Sequence, residues 1–262
     1  VYLEALEMAD LINPLKQKLA AGKPLIGSIL TAPSPQLMRM FAECGFDWLA
    51  IDLEHGPIGA ESTASMVNAT LATDCVPLAR LPSGEKWMAK IALDAGCLGL
   101  FFPLVMDGPE ADMAIKSATY PPTGNRGFGP FHARYRWNQT LTEYALNADD
   151  AILKIIMIEH IDAVDKIDEI LEVPGIDMIF IAPYDLSQSL GIPGQFDHPK
   201  FIETAMRAEL AVQKAGIELG TFVPSVDKGR EHLDRGYKLL MFAYDGMLIE
   251  NAITPMVQNL QS

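Results

Sequence analysis

From Leu25 to Tyr244 the chain alternates between short, nearly continuous apolar runs and longer stretches whose apolar residues recur at helical spacing. The apolar runs are Leu25 to Leu30, Trp48 to Leu53, Val76 to Arg80, Leu98 to Val105, Leu153 to Glu159, Met178 to Pro183, Glu218 to Val223 and Tyr237 to Tyr244. Runs of this kind suit strands covered on both faces. Strict alternation with helices implies parallel pairing through crossover connections. Eight strand and helix units predict a (β/α)8 TIM barrel, with residues 1–262 forming one domain.

The intervening patterns place the helices. Leu3, Leu6, Leu11, Leu15 and Leu19 mark a lead-in helix over Val1 to Ala21. Ser34-Pro35, with serine as N-cap and proline at the first helical position, opens a helix through Cys44. Further helices are predicted over Gly59 to Leu71, Glu85 to Asp94, Pro109 to Thr119, Gln139 to Asp149, Asp227 to Asp234 and Met247 to Leu260. One long irregular segment, Tyr120 to Trp137, interrupts the rhythm. Its aromatics and its length point to a functional loop rather than a disordered one.

Charge and cysteine usage narrow the partners. Lys+Arg 20 against Asp+Glu 34 leaves a net charge of −14, which repels phosphate backbones and anionic membranes. Nucleic acid and membrane partners are therefore not expected, and no apolar stretch is long enough for a transmembrane helix or signal peptide. Cys44, Cys75 and Cys97 form no paired spacing, so they read as reduced thiols in a cytoplasmic protein.

In a barrel of this type the strand C-termini share one face, so polar residues at strand exits converge there. Those residues are Asp52, Glu54 and His55 after the second strand, Arg80 ending the third, Glu159 ending the fifth and Asp185 just after the sixth. Glu159 and Asp185 are 185 − 159 = 26 positions apart, one strand-helix-strand unit, which puts them on neighbouring strands. Two oxygen ligands without thiolates suit Mg2+, Mn2+ or Co2+; the alternative is that each caps the following helix. Arg80, in an apolar strand, needs an anion, either a substrate carboxylate or enolate, or Asp52 or Glu54 as ion-pair partner. His55 is a general base or a structural histidine. Asp94 reads by default as ordinary helix C-terminal chemistry.

Other chemistries lack their residues. Lys154 and Lys238 lie at strand entrances and Lys86 and Lys90 on a helix, so no lysine is placed for a Schiff base. Val223 to Gly229 lacks the glycine-rich phosphate turn, and Gly124, Gly127 and Gly129 do not form a dinucleotide fingerprint.

Phe46-Asp-Trp-Leu-Ala-Ile-Asp-Leu-Glu-His-Gly-Pro57, Arg80, Tyr120-Pro-Pro-Thr-Gly-Asn-Arg-Gly-Phe-Gly129, Ile158-Glu159 and Phe180-Ile-Ala-Pro-Tyr-Asp-Leu-Ser187 together resemble the HpcH/HpaI family of metal-dependent class II pyruvate aldolases. The likeness extends from about Gly27 to about Ala252. It implies an enzyme that cleaves a 4-hydroxy-2-oxoacid to pyruvate and an aldehyde, with Glu159 and Asp185 holding a divalent metal. It further implies that Arg80 stabilises the enolate, that His55 acts as or activates the base, and that Asp94, in competition with Asp52, supports the histidine. A homo-oligomer, a hexamer or trimer that exchanges C-terminal helices, is implied as well.

Met157 stands where the family has a glutamine that bonds substrate, and Tyr184 replaces a small residue whose backbone N–H faces the substrate. His160, His132 and Arg134 are candidates for contacting the distal part of a different substrate. Two other readings compete with the aldolase: a related lyase acting on a CoA thioester, and a non-catalytic protein that sequesters a 2-oxoacid.

Overall fold

The computed structural model describes residues 11–262, the side chain of Lys86 apart. Its centre is a closed barrel of eight parallel strands paired in sequence order, with the eighth returning to the first. The strands are β1 (Leu25–Leu30), β2 (Trp48–Asp52), β3 (Val76–Arg80), β4 (Gly99–Phe102), β5 (Leu153–Ile158), β6 (Met178–Ile181), β7 (Glu218–Val223) and β8 (Leu239–Tyr244). The predicted TIM barrel is the observed fold.

Inward-facing side chains fill the barrel as a packed core. Trp48 tilts onto Phe101 at 5.4 Å between ring centroids, and Phe101 meets Phe180 edge-on at the same separation. Gly27 makes room for this plug, since a Cβ there would collide with the Trp48 ring on the neighbouring strand. Two cavities lie towards the strand C-termini.

Thirteen helices are present among the described residues: α1 (Pro14–Ala20), α2 (Pro35–Glu43), α3 (Ala60–Ala69), α4 (Lys86–Ala95), α5 (Gly108–Ser117), α6 (Ala133–Arg136), α7 (Leu141–Ala151), α8 (Ile161–Asp165), α9 (Ile167–Leu171), α10 (Pro183–Ser189), α11 (Pro199–Ala215), α12 (Val226–Asp234) and α13 (Asp245–Gln261). Ser34 caps α2 by accepting from the Leu37 N–H, as the serine-proline pair predicts. Of the expected lead-in helix, residues 1–10 lie outside the described part, and α1 accounts for the remainder.

Three boundaries differ in ways that matter for the site. The fourth strand ends at Phe102 rather than Val105, because Leu104 takes a left-handed backbone (φ 58°) and turns its N–H towards Glu159. The sixth strand stops at Ile181, since Pro183 cannot donate to the ladder and instead begins α10. The last helix starts at Asp245, two residues before the sequence pattern suggests, and from Ile249 onward every residue is exposed. It therefore stands off the barrel.

Candidate active site at the strand C-termini

Asp52 and Arg80 are register partners across β2 and β3, so 28 residues of sequence separation collapse into one hydrogen-bonded pair. Arg80 donates from Nε to Asp52 Oδ1 at 2.9 Å and from Nη2 to Asp52 Oδ2 at 2.7 Å. The fork geometry suits guanidinium and carboxylate. Asp52 is fully buried, and its Oδ1 also accepts from the Glu54 and His55 backbone N–H groups at 3.2 and 3.3 Å. Glu54 Oε2 lies 3.3 Å from Arg80 Nε. Burial works against the arginine's charge, but the Asp52 bonds and the neighbouring carboxylates outweigh it and raise its pKa overall. Arg80 is thus a fixed cation whose Nη1 has no protein hydrogen-bond partner among the described residues.

His55 follows this anchored turn and is the most open group of the set, with 63% of its side chain exposed and Nε2 3.8 Å from Glu54 Oε2. It lines both cavities at the mouth. Asp52 holds the His55 backbone and Arg80, and among the described residues no hydrogen bond joins it to the imidazole ring.

Glu159 is buried at the end of β5 and accepts from the Leu104 N–H at 2.6 Å. Burial pushes its carboxyl up to about 7, and the charges of Glu54 and Asp185 add to the effect. Burial likewise raises Glu54 to about 7, with Asp52 and Asp185 contributing. Three carboxylates within mutual electrostatic reach, facing one cavity of about 390 Å3 with His160, Gln188 and Ser189, form a site of unbalanced negative charge. Among the described residues no three His, Cys, Asp or Glu side chains make a closed ligand set. The donors fit a hard divalent cation held by Glu159 and Asp185, with water or substrate oxygens completing its shell. They do not fit a thiolate or structural zinc site.

These raised pKa values make a stability prediction. A carboxyl whose pKa rises from 4.5 unfolded to about 7 folded stabilises the protein below pH 4.5, and this is lost as pH rises through 7. Glu159→Gln, which keeps an acceptor for Leu104, should therefore melt above the parent at pH 8 in the presence of a chelator. The gap should be on the order of 2 kcal/mol and close towards pH 5. Equal melting temperatures across this range would show that burial and the neighbouring carboxylates do not raise the Glu159 carboxyl.

A second cavity, of about 420 Å3, shares His55 and Asp185 with the first and extends over Arg80, Met157, Phe180, Tyr184 and Phe222. Met157, Phe180 and Met241 give it an apolar floor. The rim between β8 and β1 is closed by Asp245, which accepts from the Thr31 N–H, the Thr31 hydroxyl and the Ala32 N–H. Nothing in the sequence marks Asp245 for this role, since an acidic residue in a first helical turn is commonplace.

Two expected contributors are elsewhere. Asp94 sits in the last turn of α4, a helix that runs away from the mouth back to the start of β4, and it pairs with buried Arg126 at 3.2 Å. It does not reach His55 in the same chain. The segment 120–137 is also displaced from the mouth: Trp137 donates to the Gly96 carbonyl, Arg136 to Thr70, and no residue of it lines either cavity. His132 and Arg134 accordingly do not contact this chain's own site. Arg126 is held among Tyr120 and Tyr144, 4.5 and 5.6 Å from their ring centroids, with Nε and Nη1 unpartnered among the described residues.

Residues 26–252 match the family model described as HpcH/HpaI aldolase/citrate lyase. The chain is 36% identical over 243 residues to a hydroxypyruvate/pyruvate aldolase of Cupriavidus necator, covering 92% of this chain and 89% of that protein. It is 32% identical over 241 residues to a 4-hydroxy-2-oxo-heptane-1,7-dioate aldolase of Shigella sonnei, covering 92% of each. A crystal structure of an HpcH/HpaI aldolase/citrate lyase family protein from Burkholderia cenocepacia superposes with a TM-score of 0.88 at 31% identity, covering 95% of this chain and all of that one.

Proposed function

The chain belongs to the HpcH/HpaI aldolase/citrate lyase family and is an aldolase, and on that premise we propose that this barrel reversibly cleaves a 4-hydroxy-2-oxoacid to pyruvate, or a related 2-oxoacid, and an aldehyde. The observation that carries the reading is the pairing, at one mouth, of an arginine locked by Asp52 with the carboxylates Glu159 and Asp185. The latter would hold Mg2+, Mn2+ or Co2+. A divalent cation bound there would polarise the oxoacid carbonyl and spread negative charge from its oxygen.

His55, exposed to both cavities, removes the proton of the substrate's 4-hydroxyl group. The C3–C4 bond breaks, its electron pair passing to the carbonyl oxygen as an enolate while C4 leaves as the aldehyde. Arg80 opposes the growing oxyanion charge, and its bond to Asp52 holds it in place without reorganisation. The proton held by His55 then returns to C3 and releases the 2-oxoacid. Met157, Tyr184 and Asp185 contact the substrate. The aldolase names of relatives matched along nine-tenths of their length favour this chemistry over thioester cleavage or simple sequestration.

The deciding experiment is exchange of the C3 protons of pyruvate in deuterated water with Mn2+ present. An aldolase exchanges its methyl protons without any aldehyde; a sequestering protein leaves them untouched, and that result would sink the proposal.

The exposed part of α13 supports an oligomer, a hexamer or trimer. Ile249, Ile253, Met256, Val257 and Leu260 recur at helical spacing on one stripe, and all are exposed. An apolar stripe of this kind on a helix standing off its own barrel calls for cover by another copy, and contact between Asp94 and a His55 would equally require another copy. Replacing Ile249, Ile253 and Val257 together by serine should lower the mass measured by light scattering towards the 28.7 kDa of one chain. Among the described residues no helix is long and apolar enough to cross a membrane. Burial pushes the Cys75 and Cys97 thiols up to about 12, consistent with inert reduced cysteines and a cytoplasmic setting.

A further inference from the structure

The His55 ring makes no hydrogen bond among the described residues, its nearest carboxylate oxygen lying 3.8 Å away, so it takes its place from the backbone of the turn that follows β2. Two contacts hold that turn. On one side Asp52 Oδ1 accepts from the Glu54 and His55 N–H groups at 3.2 and 3.3 Å, at or beyond the long end for N–H donors. On the other side the Gly56 backbone is wedged between the Asp52 and Thr31 carbonyl oxygens, which a Cβ there would approach to 2.5 and 2.8 Å. The turn therefore rests on Thr31.

Thr31 itself lies past the end of the sheet. The pairing of β1 with β2 closes at Leu30 and Ile51, and the register of β1 against β8 slips between Gly27 and Ile29. What fixes Thr31 is Asp245, the first residue of α13. Its Oδ2 accepts from the Thr31 and Ala32 N–H groups at 3.1 and 3.0 Å, and its Oδ1 from the Thr31 hydroxyl and the Gly246 N–H at 2.8 and 3.0 Å. Four donors converge on one carboxylate that is 2% exposed. An amide there would keep a single acceptor oxygen and turn its NH2 against donors. Two residues earlier Ala243 takes a left-handed backbone at φ 54°, a strained conformation that persists only where its surroundings fix it.

We infer that Asp245 is a positioning residue for His55: through Thr31 and Gly56 it sets where the turn carries the base into the mouth. The inference rests on the aldolase reading, in which His55 moves the C3 proton, and adds a residue to it. A base misplaced by about 1 Å can lose on the order of a hundredfold in rate. Cation binding is a separate matter, because Glu159 and Asp185 follow β5 and β6, across the barrel from the seam between β8 and β1.

The test measures kcat for pyruvate C3 exchange in deuterated water at saturating Mn2+, beside the rise in melting temperature that Mn2+ produces. Asp245→Asn should slow exchange by about tenfold to a hundredfold and keep the parent's Mn2+ rise. Gly56→Ala presses the same contact from the other side and should slow exchange as well. The two substitutions together should be no slower than the slower one alone, since they displace a single turn and their losses are coupled. Should Asp245→Asn fail to fold, Thr31→Val takes its place; it deletes only the hydroxyl donor and should slow exchange about fivefold. Exchange within about twofold of the parent in the variant used overturns the inference, as does a combined loss equal to the product of the single losses, or disappearance of the Mn2+ rise. If the parent exchanges no pyruvate protons, the aldolase reading falls and takes this inference with it; exchange that survives these substitutions removes the inference alone.

Discussion

Glu159→Ala should eliminate measurable carbon–carbon cleavage, together with the rise in melting temperature expected of the parent protein with Mn2+. Asp185→Ala should do the same. Both carboxylates face one cavity with Glu54, and removing either leaves only one of the two proposed carboxylate ligands to hold a cation. A cation that binds only the folded state at a hundred times its dissociation constant stabilises by about 2.7 kcal/mol, which the variants forfeit. Thermal melting with and without Mn2+ therefore reads the metal site independently of turnover. The chelated parent should lose activity and recover it with Mg2+, Mn2+ or Co2+. Full activity in the chelated parent, or a Glu159→Ala protein that still gains stability from Mn2+, would place the metal elsewhere or dispense with it.

Arg80→Ala should have two separable effects. Turnover falls by about two to three powers of ten, the usual consequence of removing one group that opposes oxyanion charge. Stability falls as well, because the buried Asp52 carboxylate loses both bonds of the fork. An uncompensated buried charge costs about 3–5 kcal/mol, equivalent to a drop on the order of 10 °C for a chain of this size. Arg80→Lys distinguishes the two roles. A lysine keeps a cation near Asp52 and should restore much of the melting temperature. It cannot hold that carboxylate in a fork and also meet an enolate, so turnover should stay low. If Arg80→Ala melts early but retains turnover within tenfold of the parent, the arginine serves only as the ion-pair partner of Asp52.

The contrast between Arg80 and Asp94 shows where sequence reading succeeds. Arg80, Glu159 and the strand that ends in Asp52 lie at the exits of apolar runs, and closure of a parallel barrel sends every such exit to one face. Their convergence follows from periodicity and topology without any knowledge of side-chain contacts. Asp94 lies on a helix instead, and the direction of that helix takes its last turn away from the mouth. The same logic displaces the segment 120–137: it leaves from the end of α5, which is remote from the strand exits, so its length gave no guide to its place.

Side-chain roles within the converged set needed the folded structure. Asp52 and Glu54 are equivalent at the level of sequence, two carboxylates on one turn. Only the β2 and β3 register makes Asp52 the fork partner of Arg80 and leaves Glu54 among the carboxylates raised to about 7. The aromatic brace on Tyr184 draws Phe196 and Phe222 from distant parts of the chain, and Asp245 closes the rim against Thr31 across 214 residues.

By itself, the amino-acid sequence determined the barrel, the face that carries the chemistry and the acidic, metal-fitting character of that face, because apolar periodicity and strand polarity are local properties with a single topological outcome. Tertiary structure alone decided which carboxylate locks the arginine, which cavity is apolar, and that Asp94 and the long loop lie away from their own chain's mouth. Those outcomes depend on strand register, helix direction and burial, which are set by contacts between residues far apart in sequence.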